Sequence, residues 1–524
     1  MTITKKYLVV PVCYGAEQVN VQFKSEGKLI FDLDICLHPD HTDTLYYVNF
    51  ERFKGMTFEI EGAPEGIQFD QADEADDTGI YEEKARPRVH FTAKKGWIND
   101  PNGCIKIDDT YHLYFQHNPV GRKWGNMHWG HATSKDLLHW EEQDIVLFPD
   151  EMGTMYSGSA FYDEENISGL GTKENPPILY FYTASGGVNL LSRLQGVDYT
   201  QCLAYSLDKG KTLIKYDKNP IIPHQVASNR DPKVIYSKEI DGYVMALYLQ
   251  DNNYGLYTSK NLIDWTQTDE IALPEDSECP DFYPLPVEGE EDTLWVLTGA
   301  NDRYLVGRLS SEGKFRPVQE AGRLHYGNSN YAAQTYSNIT DGRKLKIAWY
   351  NYDIPGQYFN CAMNIPTELK LRHSGDKYLL CAQPVQELEI LRTGTATYTD
   401  KTIKEGESLN FPTEGKAQDI RLNVRGGSKL EIEYLGKTIL IDNHGCYVNI
   451  GDHYFPSYIG DDGVVLRIIS DVTGLEIFAR DGQAFAGIGF MSDYAKSDIV
   501  IKAIEGDTEV RSLEISPLAD VWKK

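Results

Sequence analysis

Short apolar runs alternate with turn-forming residues along almost the whole chain. The first of these runs lie at residues 7–12, 19–23, 29–33, 45–50 and 56–60. Alternating apolar and polar positions, bounded by Gly, Pro, Asn, Asp and Ser, are the pattern of β-strands, whereas helical periodicity is nearly absent. We therefore predict an all-β fold.

The pattern divides the chain into three parts. Residues 1–82 predict a small N-terminal β-sandwich-like domain, and the acidic stretch 70–77 at its end predicts an exposed loop or linker. Residues 86–385 contain many short strands with turn signals about every 8–12 residues. Residues 393–524 remain all-β, and 471–483 predict a strand followed by an Asp-Gly hairpin turn. A C-terminal β-sandwich is expected there.

One unit recurs within the central part. The sequence SKDLLHW at residues 134–140 returns as SKNLIDW at 259–265, and residues 204–212 are a looser third copy. Each copy follows or includes a predicted strand. A strand-turn unit that recurs at wide spacing is typical of radially repeated sheets, so we predict a β-propeller. A propeller brings loops from distant sequence positions around one central pocket.

Composition narrows the function classes. The chain has 524 residues and a formal net charge of −27, which opposes phosphate contacts, so we expect no nucleic-acid partner. The eight cysteines are scattered without a C-x-x-C pair, which excludes the usual zinc and redox spacings and gives no disulfide framework. No run approaches the roughly 18 apolar residues of a membrane span.

The N-terminus leaves the compartment open. Residues 4–12 combine two lysines with an apolar stretch, but the stretch is short and contains Pro11, so it predicts a strand and not a signal peptide. We expect a soluble protein, either cytoplasmic or a secreted, periplasmic or surface protein whose leader is absent from this chain. The oligomeric state has no signal in the sequence.

Three carboxylates stand in unusual surroundings. Asp100 lies in Trp-Ile-Asn-Asp-Pro-Asn-Gly at residues 97–103, which predicts a tight turn that holds a carboxylate at a strand end. Asp231 stands between Arg230 and a proline, and Glu278 lies in a Glu-Cys-Pro loop followed by aromatic residues. Glycoside hydrolysis needs two carboxyl groups across the scissile bond, and an arginine fork suits sugar hydroxyls. Taken singly, the three segments are also explained by a turn, a surface ion pair and a proline-bound loop.

Residues 124–131 are dense in aromatic and histidine side chains. We predict that Trp129 is a core residue and that Trp124 faces a sugar. Four histidines lie close together in the sequence, namely His112, His117, His128 and His131. On a strand, residues 128 and 131 would point to opposite faces, and no carboxylate has ligand spacing with them, so we predict no metal and no cofactor. G-x-S-x-G, G-x-G-x-x-G and P-loop patterns are absent.

Together these motifs resemble glycoside hydrolase family 32, which comprises invertases, inulinases and levanases. The motifs stand in the family's order at Trp97–Gly103, Gln116, 124–131, 156–159, 230–232 and 278–280. Segments 331–335, 347–349 and 362–369 extend the resemblance, which covers about residues 86–524. Residues 1–82 are more weakly similar to the extra β-domain that precedes the propeller in some gut-bacterial levanases and inulinases.

The resemblance implies a five-bladed propeller and a retaining reaction through a covalent fructosyl-enzyme. It implies that Asp100 is the nucleophile, that Glu278 is the acid/base, and that Asp231 stabilises the transition state. It assigns substrate binding to Asn99, Gln116, Trp124, Tyr156, Ser157, Arg230 and Trp349.

We therefore expect an enzyme that releases terminal fructose from levan or inulin, from fructo-oligosaccharides and from sucrose. Within the class, an endo-levanase, a sucrose-specific invertase and a fructosyltransferase remain alternatives. A non-catalytic fructan-binding protein is the alternative from another class. The chain departs from the family at residues 360–362 and at Thr367, toward the outer subsites, which leaves the leaving-group specificity and the β-2,1 or β-2,6 linkage open.

Overall fold

The computed structural model describes residues 1–457 and 463–523. In these residues the regular structure is almost entirely β-strand, which confirms the predicted all-β fold. The described helices are short: Leu190–Gln195 is α-helical, and Glu51–Phe53, Gln386–Leu391, Arg480–Gly482 and Tyr494–Lys496 are 3-10 helices. None of these described helices is long and apolar enough to cross a membrane.

Residues 1–82 form two three-stranded antiparallel sheets that share one apolar core. In spatial order, the first sheet contains Thr44–Asn49, Tyr7–Val12 and Asp70–Ala72, and the second contains Lys28–Cys36, Gln18–Ser25 and Glu59–Glu61. The rings of Phe23, Phe31 and Phe50 pack against one another in this core. We call residues 1–82 the N-terminal unit.

The prediction of an exposed loop or linker at residues 70–77 is wrong for the first three residues. Asp70–Ala72 pairs with residues 7–9, because strand Tyr7–Val12 still offers free backbone donors and acceptors on one edge after Thr44–Asn49 has paired with the other. The side chain of Asp70 stays exposed, and a short, charged edge strand is a common way to end a sheet.

Residues 96–384 form five sheets that follow one another along the chain, and the four main strands of each are antiparallel and in chain order. We number them sheets 1 to 5. The strands are Gly96–Ile107, Thr110–Asn118, His128–Ser134 and Trp140–Glu142 in sheet 1; Thr154–Tyr162, Ile178–Ser185, Thr200–Ser206 and Ile214–Lys215 in sheet 2; Arg230–Ser237, Gly242–Gln250, Asn253–Ser259 and Thr266–Ala272 in sheet 3; Asp281–Pro286, Thr293–Thr298, Arg303–Leu309 and Phe315–Pro317 in sheet 4; and Tyr331–Thr335, Leu345–Tyr350, Thr367–Ser374 and Lys377–Pro384 in sheet 5. One further short strand belongs to each of sheets 1, 4 and 5. These strands are Phe359–Asn360, Gly322–Arg323 and Ala362–Met363, in that order.

The first strands of the five sheets contact one another in a closed cycle. Each touches the first strand of the next sheet, and the first strand of sheet 5 touches that of sheet 1. The short strand Phe359–Asn360 strengthens this closure, because it pairs in parallel with residues 96 and 97 of sheet 1. Residues far apart in the sequence therefore meet at the centre of the cycle.

The recurring sequence unit lies at the same place in sheets 1, 2 and 3, directly after the third strand. The first serine of the unit donates a hydrogen bond within a turn. The hydroxyl of Ser134 donates to Asp136 Oδ1, and that of Ser259 donates to Asn261 Oδ1, each at 3.1 Å. In the looser copy, Ser206 donates to an aspartate in the same way. The repeat is thus a hydrogen-bonded turn that leads from the third strand to the fourth.

Residues 396–517 form two sheets of six strands, apart from the segment outside the described residues, and one apolar core fills the space between them. In spatial order, one sheet contains Ala396–Ile403, Thr508–Pro517, Gln418–Gly426, Val464–Asp471, Gly474–Ala479 and Ala484–Gly489, and the other contains Ser408–Phe411, Ile499–Glu505, Lys429–Tyr434, Lys437–Asp442, Tyr447–Ile450 and His453–Pro456. The hairpin predicted near residues 471–483 is confirmed: Gly474–Ala479 turns through Arg480–Gly482 and pairs with Ala484–Gly489.

Candidate active site

A cavity of about 300 Å³ lies where sheets 1, 2, 3 and 5 meet the loop that precedes sheet 4. All ten residues selected from the sequence line it: Asn99, Asp100, Gln116, Trp124, Tyr156, Ser157, Arg230, Asp231, Glu278 and Trp349. Tyr199, Ser228 and Tyr331 complete the lining, and the sequence-based selection missed them. Tyr331 stands in one of the segments that extend the family resemblance, which is the signal that could have found it.

The prediction of a tight turn at residues 97–103 is wrong. These residues lie inside strand Gly96–Ile107, whose pairing with the second strand of sheet 1 shifts register between Ile98 and Pro101. The turn-forming residues are accommodated as a bulge, since a bulge tolerates a proline and an irregular backbone within a sheet. Gly103 has a φ of +50°, and a Cβ there would lie 2.9 Å from a tyrosine ring, so the position requires glycine.

The first strands of sheets 2, 3 and 5 carry similar irregularities. The register shifts lie between Met155 and Gly158, between Arg230 and Lys233, and between Tyr331 and Gln334. In a regular strand, neighbouring side chains point to opposite faces, yet Tyr156 and Ser157 both line the cavity. Because a bulge bends the strand and changes the direction of side chains, these shifts explain how adjacent residues reach one cavity.

Asp100 keeps part of its surface open to the cavity, although protein surrounds its carboxyl group. Ser157 Oγ donates a hydrogen bond to Oδ2 at 2.6 Å, and Asn99 Nδ2 donates to Oδ1 at 3.1 Å. Burial raises the pKa of Asp100, the two hydrogen bonds oppose that rise, and the charge of Glu278 adds to it. The ionisation of Asp100 therefore depends on Ser157 and Asn99.

Asp231 is the most deeply buried of the three carboxylates, with 6% of its surface exposed. The backbone N–H of Cys279 donates to its Oδ2 at 3.0 Å, and its own N–H donates to Thr183 Oγ1 at 2.9 Å. Its φ of +66° lies in the left-handed region, which costs energy for a residue other than glycine. Burial raises the pKa of Asp231 to about 7, a rise that the charge of Arg230 opposes and that of Asp100 increases.

Glu278 lies at the end of the loop before sheet 4, and a third of its side chain is exposed. Arg230 Nη2 donates to Oε1 at 2.6 Å, and the Tyr331 hydroxyl donates to Oε2 at 2.7 Å. Arg230 is itself held by Ser228, whose carbonyl and hydroxyl oxygens accept from Nη1 at 2.5 and 2.8 Å. Both oxygens of Glu278 therefore have a fixed donor.

Cys279 lies between two of the carboxylates. Its Sγ is 3.4 Å from Asp100 Oδ2 and 3.5 Å from Asp231 Oδ2. Burial and the charges of these carboxylates raise the pKa of the thiol well above its usual value, so the sulfur keeps its proton and acts as a weak donor. The sequence marked this cysteine only as the neighbour of Glu278.

Aromatic and amide side chains form the remaining wall. Trp97 Nε1 donates to Asn99 Oδ1 at 2.9 Å, which orients the amide that reaches Asp100. The rings of Trp97 and Trp349 meet edge to face with centroids 5.6 Å apart. Gln116 is 2% exposed, and its Nε2 donates to a backbone carbonyl of sheet 2 at 2.8 Å. These contacts fix polar groups around a space of sugar size.

The predicted core residue Trp129 is fully buried, and the four histidines near it are buried too. His112 Nδ1 lies 3.0 Å from His131 Nε2, and burial lowers the pKa of His112 and of His117 to about 4, so both rings are neutral. None of the four is among the cavity-lining residues. Among the residues that the structure describes, Cys13, His41 and Asp43 have potential ligand atoms within 4.8 Å of one another, and these three residues lie outside the cavity.

Comparison with known proteins adds an independent observation. The glycosyl hydrolases family 32 N-terminal domain matches residues 90–384. The levanase of Bacillus subtilis (strain 168) is 32% identical over 501 residues, which cover 86% of this chain and 72% of the levanase. The extracellular exo-inulinase of Aspergillus awamori is 30% identical over 522 residues, covering 84% and 96% of the two chains. The crystal structure of exo-inulinase from Aspergillus awamori superposes with a TM-score of 0.76 at 27% identity, covering 84% of this chain and all of that one.

Carboxyl groups fixed by hydrogen bonds around a cavity of amide and aromatic side chains fit the requirements of glycoside hydrolysis. The family match covers more than half of the chain. The chain belongs to glycosyl hydrolases family 32.

Proposed function

We propose that this enzyme releases terminal fructose from β-fructans such as levan and inulin, from fructo-oligosaccharides and from sucrose. The observation that carries the proposal is one cavity that joins Asp100, Asp231 and Glu278 with amide and aromatic side chains. The names of relatives support fructose-containing substrates: besides levanase and exo-inulinase, they include a fructan beta-fructosidase of Streptococcus mutans and an invertase of Schizosaccharomyces pombe.

Asp100 is proposed as the nucleophile. Its carboxylate attacks C2 of the fructosyl unit and forms a covalent ester, while the leaving oxygen takes a proton from Glu278. In the second step, the carboxylate of Glu278 takes a proton from water, the water oxygen attacks C2, and the C2–Asp100 bond breaks. Two inversions at C2 retain the configuration of the released fructose.

The roles are assigned from how deeply each carboxylate is buried and from the hydrogen-bond donors around it. Ser157 and Asn99 stabilise the ionised form of Asp100, which is the form that attacks. Glu278 is more exposed than Asp231, so it is better situated to meet a leaving group that extends toward solvent. Asp231 lies deepest, where its negative charge stabilises the positive charge that develops on the fructosyl ring in the transition state. Arg230 beside it is proposed to bind sugar hydroxyls.

Exo action is proposed because residues from several sheets surround the cavity. Its lining comes from sheets 1, 2, 3 and 5 and from the loop before sheet 4, so a chain end fits more readily than the middle of a polymer. An open cleft would suit an endo-levanase instead. The cavity volume of about 300 Å³ is at the small end of ligand sites, which also favours one terminal unit.

The architecture proposed for this function has three domains. We infer that sheets 1 to 5 are the blades of a five-bladed propeller at residues 86–385, because their first strands touch in a closed cycle. Residues 1–82 are proposed as an N-terminal β-domain, and residues 393–524 as a C-terminal β-sandwich, each with its own apolar core.

A product-size time course tests the proposed function. The enzyme is incubated with levan, inulin and sucrose in parallel, and early products are separated by size. Fructose as the sole early product from a polymer supports exo hydrolysis, and the faster polymer identifies the preferred linkage. Early oligosaccharides would contradict exo action in favour of an endo enzyme, whereas transfer products would favour a fructosyltransferase. The absence of product from all three substrates would favour the binding-protein alternative.

A further inference from the structure

The N-terminal unit holds the loop that carries Trp124. Val120, in the same loop, is 1% exposed and belongs to the apolar core of the N-terminal unit. On the other side of Trp124, the amide of Asn126 pairs with both backbone groups of Asp34: Asp34 N–H donates to Asn126 Oδ1, and Asn126 Nδ2 donates to the Asp34 carbonyl, each at 2.8 Å. The loop is therefore fixed to the N-terminal unit before and after the tryptophan.

A second contact holds the segment that leads to Tyr199. The carboxylate of Asp32 accepts the backbone N–H groups of Leu190 at 3.0 Å and Leu191 at 3.1 Å, at the start of helix Leu190–Gln195. The first N–H groups of a helix have no partner inside it, so an aspartate from another part of the chain satisfies them here. Asp32 is 6% exposed, and Tyr199 follows the helix by four residues.

The two held segments meet at Tyr156. The ring of Trp124 and the ring of Tyr199 both contact Tyr156 edge to face, with centroids 6.0 and 5.6 Å away. All three residues line the cavity, and Trp124 is half exposed at its mouth. Aromatic faces in this position offer a surface for the apolar side of a sugar ring.

We propose that the N-terminal unit positions Trp124 and Tyr199 so that the mouth of the cavity binds the sugar unit next to the terminal fructose. The inference rests on the proposed function and assigns to residues 1–82 a part in substrate affinity. The donors that hold Asp100, Asp231 and Glu278 all come from residues beyond the N-terminal unit. The unit is therefore expected to set KM for substrates with a second sugar, while kcat depends on the carboxylates.

The test uses the full chain with Asp32→Ala, which removes the acceptor for Leu190 and Leu191. KM and kcat are measured for an inulin-type oligosaccharide and for methyl β-D-fructofuranoside, whose leaving group has no sugar ring. KM for the oligosaccharide is expected to rise about fivefold, with kcat unchanged. The factor is the change in an equilibrium constant that corresponds to the free energy lost with one helix cap. KM for the methyl fructoside is expected to stay the same.

Asn126→Ala is the second variant, because it loosens the other loop and should raise the same KM if Asp32→Ala fails to fold. Asp34→Ala is the matched control: its carboxylate contacts Asn20, as that of Asp32 does, but neither cavity loop, and its backbone pairing with Asn126 is kept. An unchanged oligosaccharide KM in both variants, a fall in kcat alone, or the same rise in Asp34→Ala would overturn the proposal. If the wild type cleaves neither substrate, the proposed function fails and not this inference alone.

Discussion

Ser157 and Asp100 are 57 positions apart in the sequence, yet the serine hydroxyl donates to Asp100 Oδ2 at 2.6 Å. Both residues lie in bulged parts of first strands, in sheets 2 and 1. The hydrogen bond stabilises the carboxylate and opposes the rise in pKa that burial causes. A nucleophilic carboxylate reacts only when it is ionised, so in the role proposed for Asp100 this contact links the fold to the pH dependence of the reaction.

Ser157→Ala is expected to move the acid limb of the kcat/KM profile to higher pH. Loss of the donor leaves burial less opposed, so the pKa of Asp100 rises and the active ionised form appears only at higher pH; a displacement of about half to one pH unit is expected. Ser206→Ala is the control. Ser206 lies in sheet 2 but outside the cavity, and its buried hydroxyl also donates to an aspartate, Asp208. An acid limb that stays in place or moves to lower pH in Ser157→Ala contradicts the assignment of Asp100.

Tyr331→Phe is expected to lower kcat/KM by about 10- to 100-fold. The hydroxyl of Tyr331 holds one oxygen of Glu278, the proposed acid/base, and without this hydrogen bond the carboxyl group is free to turn away from the leaving oxygen. Tyr336→Phe is a matched control directly after the first strand of sheet 5, since its buried hydroxyl has no hydrogen-bond partner among the described residues. Equal rates for the two variants would show that Tyr331 does not position Glu278.

His90 ties the beginning of the central part to the C-terminal sheets. Its Nδ1 lies 2.8 Å from Asp471 Oδ2, and its Nε2 lies 3.2 Å from Glu476 Oε1. Burial alone would lower the pKa of His90, but the two carboxylates raise it to about 9. The group is 2% exposed, so the charged triad is enclosed by protein.

This triad predicts a loss of stability at alkaline pH. The folded-state pKa of His90 lies above the unfolded value of about 6.5, so its contribution is fully present below pH 6.5 and is lost as pH rises through about 9. The contribution is of the order of 3 kcal/mol, from the difference between the two pKa values. The measurement is the unfolding free energy of wild type and His90→Gln between pH 6 and pH 10. His373→Gln serves as control, because His373 pairs with Glu290 at the surface. A difference between wild type and His90→Gln that does not shrink with rising pH contradicts the account.

The sequence was sufficient for the all-β class, which depends on a local pattern, and the family resemblance selected ten of the thirteen residues that line the cavity. The alternation of apolar residues marks strands, and the segments around Asp100, Asp231 and Glu278 are recognisable only together, by their order along the chain. The backbone at Asp100 was predicted wrongly, since Asp-Pro-Asn-Gly favours a turn unless a neighbouring strand already fixes its pairing, which the local sequence does not record.

Contacts between distant residues were beyond reach of the sequence. Cys279 reaches two carboxylates only because its loop meets the first strands of sheets 1 and 3, and Asp32 caps a helix 158 positions further along the chain. No local sequence pattern predicts either contact, because each depends on where the fold places the two residues. The strand Asp70–Ala72 was missed for a similar reason, since its pairing depends on a free edge elsewhere.

The central claim is that Asp100 forms a covalent bond with the fructosyl unit. Asp100→Asn keeps the shape of the side chain but removes the attacking carboxylate, because an NH2 donor replaces one of its two acceptor oxygens. Asp109→Asn, at an exposed aspartate that pairs with Lys135, is the matched control and should retain wild-type activity.

The most direct measurement is the initial rate of fructose release by Asp100→Asn from the substrate that the wild type cleaves fastest. The account predicts a fall of about four orders of magnitude or more, as expected when a nucleophile is removed, with the fold intact by circular dichroism. A variant that folds and keeps a substantial part of the wild-type rate would contradict it, because the reaction would then not pass through Asp100.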